Sequence, residues 1–279
     1  MSPILKNYEK GQTTIATFFD LTKAFDCINI EILLDKLDWY GIRGTALDWW
    51  RSFLTQRTQY VELQSNIKNN IIFQKSDIKP LKYGIPQGSV AGPLLYIIYV
   101  NSILQSNTLK LNTKLVKYAD DTSCLVSCKT LQETEIEANI TVNSLTQELN
   151  KHNLKVNTTK TNMMVFNFNR STTFEPCVMI NGSPLDVIES TKFLGVTIDK
   201  HLTWQPHVEN LKRKVNSSLF LLKRMTSLSP LETQIQIFHS LIMSQIFYGI
   251  TIWGNTSDEN IKSIFILQKR GIRYIFKIK

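Results

Sequence analysis

KLVKYADDTSCL, from Lys114 to Leu125, sets two aspartates side by side between two short runs of strand-forming residues. KLVKYA and TSCLVS each read as a strand, which puts Asp120 and Asp121 in a hairpin turn. Adjacent carboxylates repel, and the repulsion is relieved either by full solvation or by a bound cation. A DD pair in a turn is usually just solvated, so alone it decides little. A third acid shifts the balance. TIATFFDLT reads as a buried strand ending near Asp20, in a position to lie beside the hairpin. Three carboxylates on two neighbouring strands suit divalent magnesium, a hard ion that prefers oxygen ligands. Phosphoryl-transfer enzymes hold two such ions ~3.5–4 Å apart to activate a hydroxyl and stabilise a leaving oxygen.

Outward from the hairpin, the pattern is mixed. INIEILLDKLDWYG carries a helical stripe at Ile30, Leu33, Leu34 and Leu37 and closes at Gly41. TALDWWRSFL reads as a second short helix, and QYVELQ and NIIF read as strands. YGIPQGSVAGP is a turn-rich segment that opens into LLYIIYVNSIL, a buried helix with Ser89 as its expected N-cap. Leu131 to Asn150 is predicted helical, with its apolar stripe at Ile136, Ile140, Leu145 and Leu149. KTNMMVFNF, VMING, SPLDVI and KFLGVTID are predicted strands. From Trp204 onward two long helices are expected, VENLKRKVNSSLFLLKRM and LETQIQIFHSLIMSQIFYG, the second starting at Pro230.

Composition narrows the class. The 279 residues are 43% hydrophobic and 20% charged, ordinary for a folded protein and unlike disorder. The formal charge is +9, and its distribution matters more than its size. Lys192 to Lys279 holds 13 Lys/Arg against 5 Asp/Glu, so nearly all the excess sits in the last third, which points to a polyanionic partner. Cys27, Cys124, Cys128 and Cys177 show no CxxC pair and read as reduced, mostly buried thiols. The N-terminus has no apolar signal core, and neither long apolar window suits a membrane span. An intracellular protein, in cytoplasm or nucleus, with no membrane partner, is the expectation.

Five segments in order, FFDLTKAFD, YGIPQGSVAGPLLY, YADD, LNKHNLKVNTTKTNMMVF and KFLGVTID, resemble the palm motifs of reverse transcriptases. The wording is most similar to polymerases of non-LTR, LINE-type and jockey-like, retrotransposons. WGN and LQKRGIRYIF resemble the thumb region of that family. The resemblance implies an α+β fold, a palm of antiparallel sheet with packed helices followed by a helical thumb. Residues 1–199 would form the palm with a remnant of fingers, and residues 200–279 a basic thumb-like region. It implies Asp20, Asp120 and Asp121 as the metal-binding triad, with the backbone carbonyl of Leu21 as a further ligand. Two Mg2+ ions, with Mn2+ as a substitute, would be the cofactor. Phe25 falls at the steric-gate position, where a bulky ring excludes a ribose 2′-OH. Asp26 is expected to take a structural or hydrogen-bonding role rather than to ligate metal.

Gln87 and Gly88 would contact the nascent base pair and nucleotide, and Gly84, Gly88 and Gly92 would let backbone approach closely. Lys160 matches the general acid that protonates pyrophosphate. Phe193, Leu194 and Gly195 match the primer grip, and Lys212, Arg213, Lys214, Lys223 and Arg224 would meet template–primer phosphates. The implied partners are an RNA template, a DNA primer and dNTP. Only 19 residues precede Asp20, so the fingers are expected to be largely missing, and the chain to belong to a longer polyprotein. The implied function is RNA-directed DNA synthesis for a mobile element; the alternative is a non-catalytic nucleic-acid-binding remnant of such a polymerase.

Overall fold

A computed structural model describes residues 2–67, 70–104, 112–167 and 174–278. In chain order the elements begin with α1 (Ser2–Glu9), β1 (Thr13–Phe19), α2 (Ile30–Trp39), α3 (Thr45–Leu54), β2 (Thr58–Gln59), β3 (Glu62–Ile67), β4 (Asn70–Lys75) and β5 (Lys79–Pro80). Next come α4 (Gly92–Asn101), β6 (Thr113–Tyr118), β7 (Asp121–Cys128), α5 (Leu131–Lys151), β8 (Asn162–Phe166), β9 (Met179–Ile180), β10 (Ser183–Pro184), β11 (Asp186–Val187), β12 (Ser190–Phe193) and β13 (Val196–Asp199). The chain ends in α6 (Gln205–Met225), α7 (Leu231–Phe238), α8 (Ser244–Phe247), α9 (Ile250–Trp253) and α10 (Asp258–Phe276). The fold is mixed α+β. Contacts divide it into a sheet unit, Gln12–Met163 with Thr172–Val187, and a helical unit, Met1–Gly11, Met164–Ser171 and Ile188–Lys279.

In the sheet unit the spine is a sheet of order β11-β8-β1-β7-β6. TTIATFF forms its buried strand because β-branched and aromatic side chains suit a surface covered on both faces. β1 pairs antiparallel with β7 from Thr13 opposite Cys128 to Phe19 opposite Thr122. α5 packs on both strands. Thr130 starts α5 with a capping box, its hydroxyl accepting from the Glu133 N–H while the Glu133 carboxylate accepts from the Thr130 N–H. The stripe expected for α5 is half wrong. Leu145 and Leu149 are buried, but Ile136 and Ile140 are 60% and 53% exposed. The buried face runs instead through Leu131, Thr134, Ala138, Thr141, Val142 and Leu145. Small residues there let the helix sit close to the sheet, a preference that hydropathy does not encode.

α2 buries the four predicted residues, and the Asn29 side chain caps it by accepting from the Glu31 and Ile32 N–H groups at 3.0 and 3.3 Å. α4 is only half buried: Leu95, Tyr96 and Tyr99 are covered, but Leu94 and Ile97 are more than half exposed. Its N-cap is Ala91 rather than Ser89. The Ser89 hydroxyl caps the preceding turn, bonding the Pro86 carbonyl at 2.8 Å and accepting the Gly92 N–H at 3.0 Å. QYVELQ is not one strand, because Tyr60 and Val61 separate β2 from β3. The Phe168 end of KTNMMVFNF lies outside the described residues.

The helical unit packs around Val208, Leu211, Val215, Leu219, Leu222, Ile242 and Trp253. The second expected long helix is interrupted, since a π-turn at His239–Met243 separates α7 from α8 and Gly249, at φ +65°, ends the run. Pro230 stands at the N-cap of α7. No described helix is long and apolar enough to cross a membrane. All four cysteines are free thiols; Cys124 and Cys128 are buried, Cys177 is exposed and Cys27 is half-buried.

Candidate active site at the Asp120–Asp121 hairpin

The β6–β7 pairing ends at Tyr118 opposite Asp121, leaving Ala119 and Asp120 as a two-residue loop. The two aspartates are therefore not equivalent: Asp120 belongs to the turn and Asp121 is the first residue of β7. Ala119 takes φ +52° at the first loop position, where glycine is the usual choice. Asp20 is the residue after Phe19, whose partner is Thr122, so the antiparallel register continues from Asp20 toward Asp121. Asp20 is half-buried, whereas Asp120 and Asp121 are exposed.

Their charges are coupled. The Asp121 carboxyl is pushed above the usual carboxylate range by burial, then by Asp120, then by Asp20. The Tyr96 phenol is also raised, by burial and then by Asp120, and stays protonated. A positive charge at this spot would relieve both effects. Among the described residues, however, no three His, Cys, Asp or Glu side chains are gathered closely enough to enclose a metal ion. The site fits divalent cations by ligand type and by its charge deficit rather than by a closed cage.

The segment after α5 fixes Asp20. Its N–H donates to Thr161 Oγ1 at 3.1 Å, and its carbonyl accepts the Asn157 N–H at 2.8 Å. The Thr22 N–H donates to the Lys155 carbonyl at 2.9 Å, forming the Leu21–Val156 bridge through neighbouring amides. That pattern leaves the Leu21 carbonyl out of the pairing. Lys160 is exposed beside Thr161, with its N–H on the Asn157 carbonyl at 3.2 Å. Neither Asn157 nor Thr161 is among the expected site residues; the turn-prone NTTKT string is their one local signal.

Phe25 stacks on Tyr96 with ring centroids 4.5 Å apart. Asp26 and Gln87 meet directly, Gln87 Nε2 donating to Asp26 Oδ1 at 2.7 Å, the hydrogen-bonding alternative expected of Asp26. The two loops are stitched by backbone, with the Gly84 N–H on the Ile28 carbonyl at 2.8 Å and the Ile85 N–H on the Phe25 carbonyl at 3.1 Å. The Arg57 guanidinium donates to the Gly84 carbonyl. A Cβ on Gly84, at φ +85°, would lie 2.9 Å from the Asp26 backbone, so only glycine fits. Gly88, at φ +80°, faces open space instead. Tyr96 and Arg57 carry no sequence signal, because their roles depend on chain segments far apart in sequence.

In the helical unit Phe193 pairs with Val196, and Leu194 and Gly195, at φ +47° and +82°, make a two-residue turn. Tyr248 covers this turn, its hydroxyl donating to the Leu194 carbonyl at 2.7 Å. Arg213 donates to Asn210 Oδ1 at 2.6 Å. Lys214 is exposed and Lys212 half-buried, while Lys223 and Arg224 lie over the Tyr274 and Phe220 rings.

The sheet unit thus carries Asp20, Asp120 and Asp121 toward one end of β1 and β7. Residues 4–198 match the family described as reverse transcriptase (RNA-dependent DNA polymerase), and the chain belongs to that family. Among curated relatives it is 28% identical over 97% of its length to the RNA-directed DNA polymerase from mobile element jockey of Drosophila melanogaster, covering 29% of that protein. It is 27% identical over 98% of its length to the probable RNA-directed DNA polymerase from transposon BS of the same species, covering 30% of it. The likeness is that of a jockey-like, non-LTR reverse transcriptase domain, and the chain spans under a third of these relatives. Among solved structures, apo telomerase from Candida tropicalis aligns over 100% of this chain and 50% of its own, at TM-score 0.46 and 14% identity.

Proposed function

We propose that the chain is the polymerising part of an RNA-directed DNA polymerase of a mobile element, extending a DNA primer on an RNA template with dNTP inside the cell. One observation carries the reading: the β1–β7 register runs Asp20 toward Asp121, with Asp120 in the adjoining turn and its charge felt at Asp121. Residues 1–199 act as the palm and residues 200–279 as a basic thumb-like region. Asp20, Asp120, Asp121 and the Leu21 carbonyl would hold two Mg2+ ions, for which Mn2+ would substitute. Bound there, they would favour attack of the primer 3′-OH on the dNTP and departure of pyrophosphate. Phe25, braced by Tyr96, excludes the ribose 2′-OH. Asp26 holds Gln87 so that Gln87 and the open Gly88 backbone face the nucleotide. Lys160 supplies a proton to pyrophosphate. The turn of Phe193, Leu194 and Gly195 holds the primer, and Lys212, Arg213, Lys214, Lys223 and Arg224 contact duplex phosphates.

The test is RNA-templated primer extension with Mg2+, beside Asp121→Asn. Extension should fall by more than ~100-fold in the variant, the scale on which losing one preorganised charge contact is felt. The absence of a closed carboxylate cage among the described residues favours a second reading, a non-catalytic nucleic-acid binder. Duplex binding with no extension above the variant would select it.

A further inference from the structure

β1 pairs with β7 as far as Phe19 opposite Thr122, so Asp20 stands one residue beyond that ladder. Past the last pair β7 no longer holds the backbone, and the polar groups of Asp20 need other partners. On its C-terminal side they come from a backbone bridge. Leu21 faces Val156, and the bridge is closed by the Asn157 N–H on the Asp20 carbonyl at 2.8 Å and the Thr22 N–H on the Lys155 carbonyl at 2.9 Å. On its N-terminal side the partner is a side chain. The Asp20 N–H donates to Thr161 Oγ1 at 3.1 Å. The bridge already joins the two segments, so the Thr161 bond is not needed to bring them together. What it adds is a second fixed point, one on each side of the Asp20 Cα.

The turn before β8 presents that hydroxyl. Asn157 Oδ1 accepts the Thr159 N–H at 3.2 Å and the Thr159 hydroxyl at 2.7 Å, closing the turn with its own side chain. The Asn157 carbonyl accepts the Lys160 and Thr161 N–H groups at 3.2 and 2.9 Å. Thr161 is only 2% exposed, so water is a poor substitute for its oxygen, and removing it leaves the Asp20 N–H unmet. The bonds from this turn end on the main chain of Asp20. They fix the direction of its Cα–Cβ bond without using its carboxylate.

We infer that Thr161 is a positioning residue of the aspartate site: its hydroxyl holds the Asp20 backbone so that the carboxylate is aimed for a divalent cation shared with Asp121. The inference rests on the reading of Asp20, Asp120 and Asp121 as cation ligands and adds what sets their affinity. A partner that orients a ligand without touching the metal typically changes metal affinity by about 10–100-fold when it is removed.

The test titrates Mn2+ into the full chain and reads the free ion by electron paramagnetic resonance, the site's share being the binding lost in Asp121→Asn. Thr161→Val keeps the branched shape and removes the acceptor, and the site should then bind Mn2+ about tenfold more weakly. Thr161→Ser restores the acceptor and should return affinity to within about twofold of wild type. Thr146→Val is the control, removing a hydroxyl that is equally buried but bonds the Val142 carbonyl at 2.8 Å within α5; affinity should not change. Urea denaturation of each variant shows whether a general loss of stability accompanies the effect. Wild-type affinity in Thr161→Val, no recovery in Thr161→Ser, or equal weakening in Thr146→Val would overturn the inference. Failure of the underlying reading looks different. Equal Mn2+ binding by wild type and Asp121→Asn removes the cation site and the positioning role with it. Weakened binding in Thr161→Val, with no primer extension by wild type, upholds the positioning role and sinks the polymerase reading alone.

Discussion

Asp120 and Asp121 are neighbours in the chain but separate in the structure, one in a loop and one heading a strand. That split gives two adjacent carboxylates different backbone settings, while the β1–β7 register carries Asp20 toward Asp121 from the next strand. The cost is visible at Ala119, which holds φ +52° where glycine would be relaxed. Gly84 shows the opposite arrangement, a glycine that nothing can replace. Gly84→Ala is expected to destabilise the chain by about 2–3 kcal/mol, because backbone strain and a Cβ 2.9 Å from Asp26 act together. Gly88→Ala has the same sign of φ but open space, and should cost about 1 kcal/mol. Urea denaturation of the two variants separates contact from conformation; equal losses would sink the close-approach argument. The glycine-rich string GIPQGSVAG is legible as a turn, but which glycine meets a neighbour is not, since Asp26 lies 58 positions from Gly84 in sequence.

At the scale of elements, the C-terminus of α4 gathers two lysines. Lys117 donates to the Val100 carbonyl at 3.1 Å and Lys36 to the Tyr99 carbonyl, answering the last carbonyls of the helix. Burial lowers both pKa values to about 8, with Lys36 adding to the shift at Lys117. The folded chain therefore binds fewer protons than the unfolded chain between pH 8 and the ordinary lysine value of 10.5. Stability contributed by these groups rises with pH across that window. Burial raises the Cys124 thiol to about 12, which acts in the opposite direction above its ordinary value of 9.0. The informative quantity is the difference between wild type and Lys117→Met, in which Cys124 cancels. The urea midpoint of the wild type should gain on that of the variant between about pH 8 and 10.5, the window set by those lysine values; a constant difference would rule out lysine desolvation. Elements with strong local signals, such as β1, α2 and the aspartate hairpin, are legible because burial and period coincide in them. The α5 stripe misleads because its packing face is chosen by size, with Thr134 and Ala138 inside and Ile136 and Ile140 outside.

Over the whole molecule, charge is unevenly spread, and the last third carries a net +8 from 13 basic and 5 acidic residues. Duplex binding through that third should weaken steeply with salt, since each phosphate contact releases counterions. Replacing Lys212, Arg213 and Lys214 by Gln should flatten the plot of log affinity against log salt by about 2–3. An unchanged slope would place the contacts elsewhere. Charge is additive along the chain, so its distribution is readable from residue types alone. A cleft of the helical unit is not, because it is lined from β12, β13, α6 and α8 and by a histidine with no motif around it.

The sequence by itself determined the class: ordered motifs, a strand ending in Asp20, a hairpin bearing Asp120 and Asp121, and a basic last third. Each is a short-range pattern of residue type and spacing, preserved whatever the rest of the chain does. Only the tertiary structure decided which groups support them: Thr161 and Asn157 on the Asp20 backbone, Tyr96 beneath Phe25, Gln87 on Asp26 and Tyr248 on the Leu194 carbonyl. Those pairings join residues 54 to 141 positions apart, and nothing in a local window encodes which distant partner will arrive.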